Sequence, residues 1–139
     1  MKKNESVTKV MTTSPLTVGR NEPVSKARRI LQENEIHHLP VTNGESLAGI
    51  LTSSDLLRVS FGEFGNQDGR NLDAMLDHTY TITDLMNPSP TTIDKTKTVR
   101  DAATILANSG FHSLPVVDGE NLVGIVTSTD LIRYLLAQY

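Results

Sequence analysis

The feature that most constrains the fold of this chain is an internal duplication. Residues 7–58 align without a gap with residues 82–133 at a constant offset of 75, and 23 of the 52 aligned pairs are identical. Average amino-acid usage gives about 3 identities by chance, so the chain holds two copies of one supersecondary unit. A unit of about 50 residues buries too little surface to be stable alone. The two copies must therefore pack on each other.

Each copy predicts the same order of strands and helices. A short strand near 16–18 or 91–93 precedes a helix, on which Val24, Ala27 and Leu31 share one face. An apolar strand, the dipeptide Asn43-Gly44 and a second strand then predict a hairpin. A closing helix covers 53–60 or 128–137. The sequence predicts two tandem α/β repeats packed sheet to sheet with near two-fold symmetry.

The segment between the copies breaks this symmetry. Residues 61–70 are polar and rich in glycine, which predicts a mobile loop, and residues 72–76 form a helix in our interpretation. We therefore divide the chain into a first repeat at 1–60, a linker loop and short helix at 61–81, and a second repeat at 82–139. We expect Phe61 and Phe64 to dock on a dimer mate or partner protein; alternatively, Phe61 completes the packing of the preceding helix.

Composition and charge exclude several classes of function. The net charge is −3, no basic stripe is present and Trp is absent, which argues against a nucleic-acid partner. With no Cys and four scattered His, we expect no disulfide, thiol chemistry or metal site. No apolar run reaches about 18 residues and no signal sequence is recognisable. We expect a cytoplasmic protein that makes no membrane contact.

The outgoing hairpin strand of each copy ends in hydroxyl groups and a carboxylate. Thr52 and Asp55 in the first copy correspond to Thr127 and Asp130 in the second. One interpretation is a capping box at the start of the closing helix. The other adds a ligand: the carboxylate accepts both hydroxyls of a ribose, while hydroxyls and helix N–H groups meet its phosphate. The two interpretations are compatible, and the recurrence of the motif favours binding.

A paired histidine is the second candidate. His37 and His112 each lie two residues before a Leu-Pro pair. Such a residue either contacts the last carbonyls of the preceding helix, where a cation is favoured, or binds a ligand. Catalysis, for example by a nucleotide hydrolase, needs a constellation of acid, base and nucleophile that the sequence does not present. We therefore predict no catalytic residue.

Together these residues resemble the cystathionine-β-synthase-type (CBS) domain pair, or Bateman module. The pattern M-x-x-x-P, h-H-x-h-P-V, a turn and G-h-h-T-x-x-D-L occurs twice and covers nearly the whole chain. The resemblance implies a β-α-β-β-α unit in each half, pseudo-two-fold pairing through the sheets and a homodimer of two pairs. It implies clefts that bind AMP, ADP, ATP or S-adenosylmethionine, no required cofactor, and a report of ligand level to an effector protein.

The resemblance also implies which residues line two clefts, each combining the ribose element of one repeat with the adenine-binding residues of the other. The first cleft takes Ile50, Thr52, Ser54 and Asp55 with Pro90, Thr91, Phe111, His112 and Ser113. The second takes Ile125, Thr127, Thr129 and Asp130 with Pro15, Leu16, Ile36, His37 and His38. Phosphate-binding members often carry arginine after the paired histidine, where this chain has His38 and Ser113. We therefore expect the second cleft to be the better phosphate site.

These features favour a stand-alone, non-catalytic regulatory module for an adenosine-containing ligand. Its output would pass through the homodimer or a separate effector protein. The first alternative is a dimerisation or protein-interaction module whose clefts have lost their ligand. The second alternative is a nucleotide hydrolase that uses His37 or His112.

Overall fold

Strands and helices follow each other in the same order in both repeats. The computed structural model of the chain describes residues 4–60 and 69–139, including all their side chains except those of residues 69 and 70. After a 3-10 turn at Val7–Lys9, the helices are α1 (Val24–Glu33), α2 (Ser53–Val59), α3 (Gly69–Thr79), α4 (Ile82–Leu85), α5 (Val99–Asn108) and α6 (Ser128–Ala137). The strands are β1 (Thr12–Thr13), β2 (Val18–Gly19), β3 (His38–Asn43), β4 (Ser46–Thr52), β5 (Ile93–Asp94), β6 (Ser113–Asp118) and β7 (Asn121–Thr127). The predicted α/β class with tandem repeats is confirmed.

Both predicted hairpins form. β3 neighbours β4, and β6 pairs antiparallel with β7. The turns contain Gly44 at φ 63° and Gly119 at φ 64°, in the left-handed region that glycine enters without steric cost. The predicted turn in each hairpin is therefore confirmed.

The short strand that precedes the long helix of each repeat begins two residues later than the sequence predicts. β2 pairs parallel with β3, Val18 opposite Val41, and β5 pairs in the same way with β6. The Thr42 carbonyl of β3 accepts the Arg20 N–H across this pair, so Pro40, two residues earlier, faces the same neighbour. Proline has no amide hydrogen to donate. The parallel ladder therefore cannot extend back toward Leu16.

The chain divides into two compact units, and neither coincides with one copy of the repeat. Unit I comprises Leu16–Gly44 and Ala48–Ser89, and unit II comprises Met1–Pro15, Glu45–Leu47 and Pro90–Tyr139. Each unit thus joins most of one repeat to the opening segment of the other. The sequence does not show this exchange, because the two opening segments are so alike that either would fit either unit.

The exchanged segment extends the hairpin of each unit. In unit II, β1 pairs antiparallel with β7, and Thr12 lies opposite Ile125. In unit I, Ile50 and Asn87 exchange two backbone hydrogen bonds, with N···O distances of 3.0 and 2.8 Å. The same bridge therefore forms once in each unit, between segments that belong to different repeats.

A glycine in each hairpin makes room for the methionine of the exchanged segment. A Cβ atom on Gly49 would lie 2.7 Å from Met86 Sδ and 2.6 Å from the Asn87 carbonyl oxygen. On Gly124 it would lie 2.5 Å from Met11 Sδ. Since such distances are below van der Waals contact, only glycine fits at these two positions. The packing accounts for the identity of both the methionine and the glycine in the two copies.

Each unit has its own apolar core. Unit I buries Val18, Val24, Ala27, Leu31, Leu39, Val41, Leu51, Leu56, Leu76, Ile82 and Leu85. Unit II buries Val7, Ile93, Ala102, Leu106, Leu114, Val116 and Val126. Since α3 places Leu76 in this core fully buried, the helix expected in the linker is an integral part of unit I, and it is longer than predicted.

The helix α6 differs from the other long helices because it buries none of its residues. Its apolar side chains Ile132, Leu135 and Leu136 are 58%, 41% and 66% exposed. The corresponding helix α2 buries Leu56 and leaves Leu57 56% exposed. A face of α6 that is both apolar and uncovered is thus available for contacts outside the chain.

Two further expectations concern a membrane-spanning helix and the loop between the repeats. Within residues 4–60 and 69–139, no helix is both long enough and apolar enough to cross a membrane. The expected loop, with Phe61 and Phe64, falls mostly on residues 61–68, which lie outside the described part of the chain.

Candidate functional site

Both Thr-x-x-Asp motifs form the capping boxes that the sequence predicts. Thr52 Oγ1 accepts the Asp55 N–H at 3.2 Å, and Asp55 Oδ2 accepts the Thr52 N–H at 3.0 Å. The matching distances between Thr127 and Asp130 are 3.1 and 2.9 Å. Each box holds its aspartate rigidly on the first helical turn and occupies one carboxylate oxygen. Because the other oxygen lies outside the box, capping and ligand binding are compatible.

The two aspartates differ in how much of their accepting capacity is used. Asp55 Oδ2 also accepts the Thr52 hydroxyl at 2.9 Å, and Asp55 Oδ1 accepts Arg58 Nη2 at 3.3 Å. In the described part of the chain, Asp130 accepts no hydrogen bond from the Thr127 hydroxyl. It also forms no ion pair with Arg133, which corresponds to Arg58 in the first repeat. Asp130 therefore has an open carboxylate oxygen, and Asp55 has its second oxygen partly occupied.

The paired histidines lie beside these junctions. The last carbonyls of α1 are met by backbone N–H groups of residues 35 and 36. His37 Nδ1 instead lies 3.2 Å from Ser53 Oγ, and the His37 carbonyl accepts the Ser53 N–H at 3.0 Å. In unit II the His112 carbonyl accepts the Ser128 N–H at 3.0 Å. Each histidine is thus fixed next to the capping box of its own repeat.

The predicted adenine-binding residues include two exposed apolar side chains. Leu16 is 49% exposed in unit I, and Phe111 is 46% exposed in unit II. Ile36, which corresponds to Phe111, packs partly against the core of unit I. Apolar side chains with this exposure gain free energy when a flat apolar ring covers them. Both side chains are therefore accessible for the nucleobase contact that the family resemblance predicts.

The remaining predicted residues vary in accessibility. Exposed residues are Ser54, Thr91, Thr129, His37 and His112; half-buried residues are Thr52, Thr127, His38, Pro15 and Pro90. Ser113 is buried, and Ile50 and Ile125 are only 7% and 6% exposed. The two isoleucines lie within the strands bridged by the exchanged segments, so little of either side chain is open to a ligand.

Within a unit, the structure brings the predicted ribose-binding aspartate close to the histidine of the same repeat. Unit I holds Asp55 with His37, and unit II holds Asp130 with His112. The predicted clefts combine residues of different units, and those combinations stay predictions. The described residues contain no group of three or more His, Asp or Glu that could hold a metal ion.

Two features of the site escaped the sequence argument. The first is Arg58, whose contact with Asp55 requires a particular side-chain conformation that spacing alone does not specify. The second is the pair of methionines over Gly49 and Gly124. The constant offset of 75 between identical Met and Gly residues was a signal for that contact, since both members recur together.

Comparison with known proteins gives a consistent result. The sequence profile of the CBS domain matches residues 7–62 and 82–137. An uncharacterized protein of Methanocaldococcus jannaschii is 32% identical over 96% of this chain, and the chain spans 32% of that relative's length.

Two solved structures are similar over nearly their whole length. The crystal structure of CBSX2 from Arabidopsis thaliana in complex with AMP is 29% identical, with a TM-score of 0.79, and covers 96% of this chain and 98% of its own. The CBS domain pair of protein MJ0100, in complex with 5′-methylthioadenosine and S-adenosyl-L-methionine, is 25% identical with a TM-score of 0.78. It covers 98% of this chain and 99% of its own.

Proposed function

The chain belongs to the CBS domain family, and from this premise we propose that it is a non-catalytic regulatory module that binds adenosine-containing ligands. The class of ligand includes AMP, ADP, ATP and S-adenosylmethionine. Support comes from two solved relatives, one of which holds AMP while the other holds 5′-methylthioadenosine and S-adenosyl-L-methionine.

The observation that carries the proposal is the repeated capping box, which leaves the second carboxylate oxygen of each aspartate outside the box. A ribose presents two adjacent hydroxyl donors, and a fixed carboxylate accepts both through charge-assisted hydrogen bonds. The helix fixes Asp55 and Asp130 before a ligand arrives, so little side-chain freedom is lost on binding. In this proposal Thr52, Ser54, Thr127 and Thr129 add hydroxyl groups near the ligand's phosphate or sulfonium end.

Ligand binding is tested by thermal unfolding and titration calorimetry of the purified protein with AMP, ADP, ATP, S-adenosylmethionine and 5′-methylthioadenosine. A ligand at 100 times its Kd stabilises the folded state by about 2.7 kcal/mol. Asp55→Asn and Asp130→Asn should each weaken binding about tenfold or more, because each removes a charge-assisted acceptor. The amide oxygen of Asn still accepts the capping N–H.

Two other capping boxes supply matched controls. Thr81 and Asp84 form the same box at the start of α4 in unit I, and Thr98 and Asp101 form it at the start of α5 in unit II. Neither aspartate belongs to the predicted site. Asp84→Asn and Asp101→Asn should therefore leave ligand affinity unchanged. If all four variants affect melting alone, the aspartates only cap helices and the ribose assignment is wrong.

We also propose that the module is a homodimer that contacts a separate effector protein. The uncovered apolar face of α6 supports this, because a helix without a single buried residue gains stability when another surface covers it. Ile132→Ser with Leu136→Ser should shift the sedimentation of the protein toward the monomer in a dilution series. Met75→Ser changes an exposed apolar residue of α3 and serves as the control.

The same measurements decide between the two leading functions. A protein that self-associates through α6 but is not stabilised by any adenosine compound is a ligand-free dimerisation module. A dimer that persists in the Ile132→Ser, Leu136→Ser variant excludes α6 as the contact.

A further inference from the structure

The two ribose-binding aspartates stand in different electrostatic surroundings within their own units. Asp55 accepts two hydrogen bonds from Thr52 on Oδ2 and one from Arg58 on Oδ1, at 3.0, 2.9 and 3.3 Å. Asp130 accepts the Thr127 N–H at 2.9 Å, and in the described residues its other oxygen has no protein partner. A carboxylate has about four acceptor positions, so most of those on Asp55 are used before a ligand binds.

The difference arises although the two sequences are the same at every position involved. Thr, Asp and Arg occur with identical spacing in both repeats, as Thr52, Asp55 and Arg58 and as Thr127, Asp130 and Arg133. The Arg58 side chain is 69% exposed and that of Asp55 is 21% exposed. Arg58 therefore occupies the carboxylate oxygen of Asp55 that lies outside the capping box, which is the oxygen that the proposed function assigns to a ligand.

From these contacts we infer that Arg58 is a specificity-determining residue that competes with the ligand for Asp55, so that adenosine compounds occupy the Asp130 element first. The inference rests on the proposed function. To bind a ribose, Asp55 must exchange the guanidinium for two hydroxyl groups, whereas Asp130 only exchanges water. The exchange costs the free energy of the ion pair, which is small for exposed pairs. We expect a difference in affinity of about two- to fivefold from this cause.

Adenosine is the appropriate probe, because it carries the ribose but no phosphate that Arg58 could attract. Binding at the Asp55 element is isolated in the Asp130→Asn protein, and binding at the Asp130 element in the Asp55→Asn protein. Adding Arg58→Gln to Asp130→Asn should tighten adenosine binding about two- to fivefold. The matched control adds Arg133→Gln to Asp55→Asn, and there the affinity should not change.

The dependence on salt separates competition from a merely structural role. Raising NaCl from about 0.01 M to about 1 M shortens the screening length from about 30 Å to about 3 Å. The ion pair weakens accordingly, so adenosine should bind Asp130→Asn more tightly at high salt. This gain should disappear when Arg58→Gln is added, and a loss of helix stability alone would not produce that pattern.

Each result has a definite meaning. If Arg58→Gln leaves affinity and salt dependence unchanged, or weakens adenosine binding, competition by Arg58 is wrong. If it weakens AMP binding but not adenosine binding, Arg58 is a phosphate ligand and the inference is also wrong. If Asp130→Asn binds no adenosine, Asp55 is not a ribose site, and the inference fails while the proposed function stands on Asp130. If the wild-type protein binds no adenosine compound, the proposed function itself fails.

Discussion

The helices α1 and α5 occupy the same position in the duplication, but their N-termini are capped differently. The helix α5 is capped locally: Thr98 Oγ1 accepts the Asp101 N–H at 3.1 Å, and Asp101 Oδ2 accepts the Thr98 N–H at 3.0 Å. The helix α1 has Pro23 at the capping position, and no side-chain cap is formed there.

The missing cap of α1 is replaced by the linker helix. Asp77 of α3 accepts the Ser25 N–H at 2.8 Å and the Ser25 hydroxyl at 2.6 Å. Arg28 of α1 also forms an ion pair with Asp73 at 2.9 Å. The cap of α5 joins two residues three apart in sequence, whereas the cap of α1 joins residues of two different helices. The helix α3 therefore stabilises the first repeat and does more than connect it to the second.

The strongest way to break this arrangement is to remove the apolar anchor of α3. Leu76 is fully buried, and Leu76→Ala should destabilise the protein by about 2–5 kcal/mol, through lost burial and the cavity that remains. Urea unfolding followed by circular dichroism measures the change. Met75→Ala, at the neighbouring exposed position, is the control. A loss below about 1 kcal/mol would show that α3 is not part of the core.

The cap itself is tested by Asp77→Ala. Ser25 is only 6% exposed, so its N–H and hydroxyl would lose their partner while remaining out of water, at a cost of about 1–3 kcal/mol. The loss should exceed that of Asp101→Ala, because the partners of Asp101 are exposed and can turn to water. Asp73→Ala removes only the ion pair and should cost about 0–1 kcal/mol. Equal losses for Asp77→Ala and Asp101→Ala would contradict the comparison.

The C-terminal ends of the same two helices also differ. Beyond α1, Glu35 has φ 52°, and its N–H and that of Ile36 bond to Gln32 and Leu31, as in a Schellman motif. The corresponding Gly110 is not in the left-handed region. The second repeat therefore has glycine where the backbone is not left-handed, whereas the first repeat has Glu35 where it is.

Glu35→Gly should raise the free energy of unfolding by about 0.5–1 kcal/mol, since relief of left-handed strain exceeds the entropic cost of glycine. Thermal unfolding measures the gain. Gly110→Ala is the control, because a Cβ there meets nothing within 4 Å. A lower melting temperature for Glu35→Gly would show that the Glu35 side chain contributes more than its backbone costs.

The smallest expected effect is on acid stability. The pKa of Asp101 lies below the ordinary value of 3.8, first because its carboxylate accepts the Thr98 backbone N–H and second because of the Thr98 side chain. A carboxyl group with a lowered pKa stabilises the folded state above its unfolded pKa, and this contribution is lost as pH falls through the folded value. Asp101→Asn should therefore flatten the loss of melting temperature between about pH 5 and pH 2. An unchanged slope would contradict the role of this cap.

The fold class, both hairpins and both capping boxes at the candidate site follow from local patterns in the sequence. Periodicity, turn glycines and Thr-x-x-Asp spacing act within a few residues, so the sequence presents them directly. The cap of α1 could not be predicted in this way. Pro23 shows that a local cap is missing, but nothing in the sequence identifies Asp77 as its replacement, because that contact depends on how α3 packs.

The candidate site also has one part that the sequence predicts and one part that it does not. Asp55 and Asp130 are recognisable from their motif, and the family resemblance adds their predicted role in ribose binding. The contact of Arg58 with Asp55, and its absence between Arg133 and Asp130 in the described residues, has no counterpart in the sequence, since the two motifs are identical. The conformation of the arginine side chain decides it, and spacing in the sequence does not specify that conformation.

The exchange of opening segments also sets an order in which the protein can be completed as it leaves the ribosome. The hairpin of unit I packs against Met86 and Asn87, so unit I can fold once residues up to Ser89 have left the ribosome. The segment that contains Met11 and β1 is synthesised long before its partner β7. Contacts between distant parts of a chain require loop closure before they contribute stability. The segment around Met11 therefore pairs only after β7 has been synthesised, more than 100 residues later.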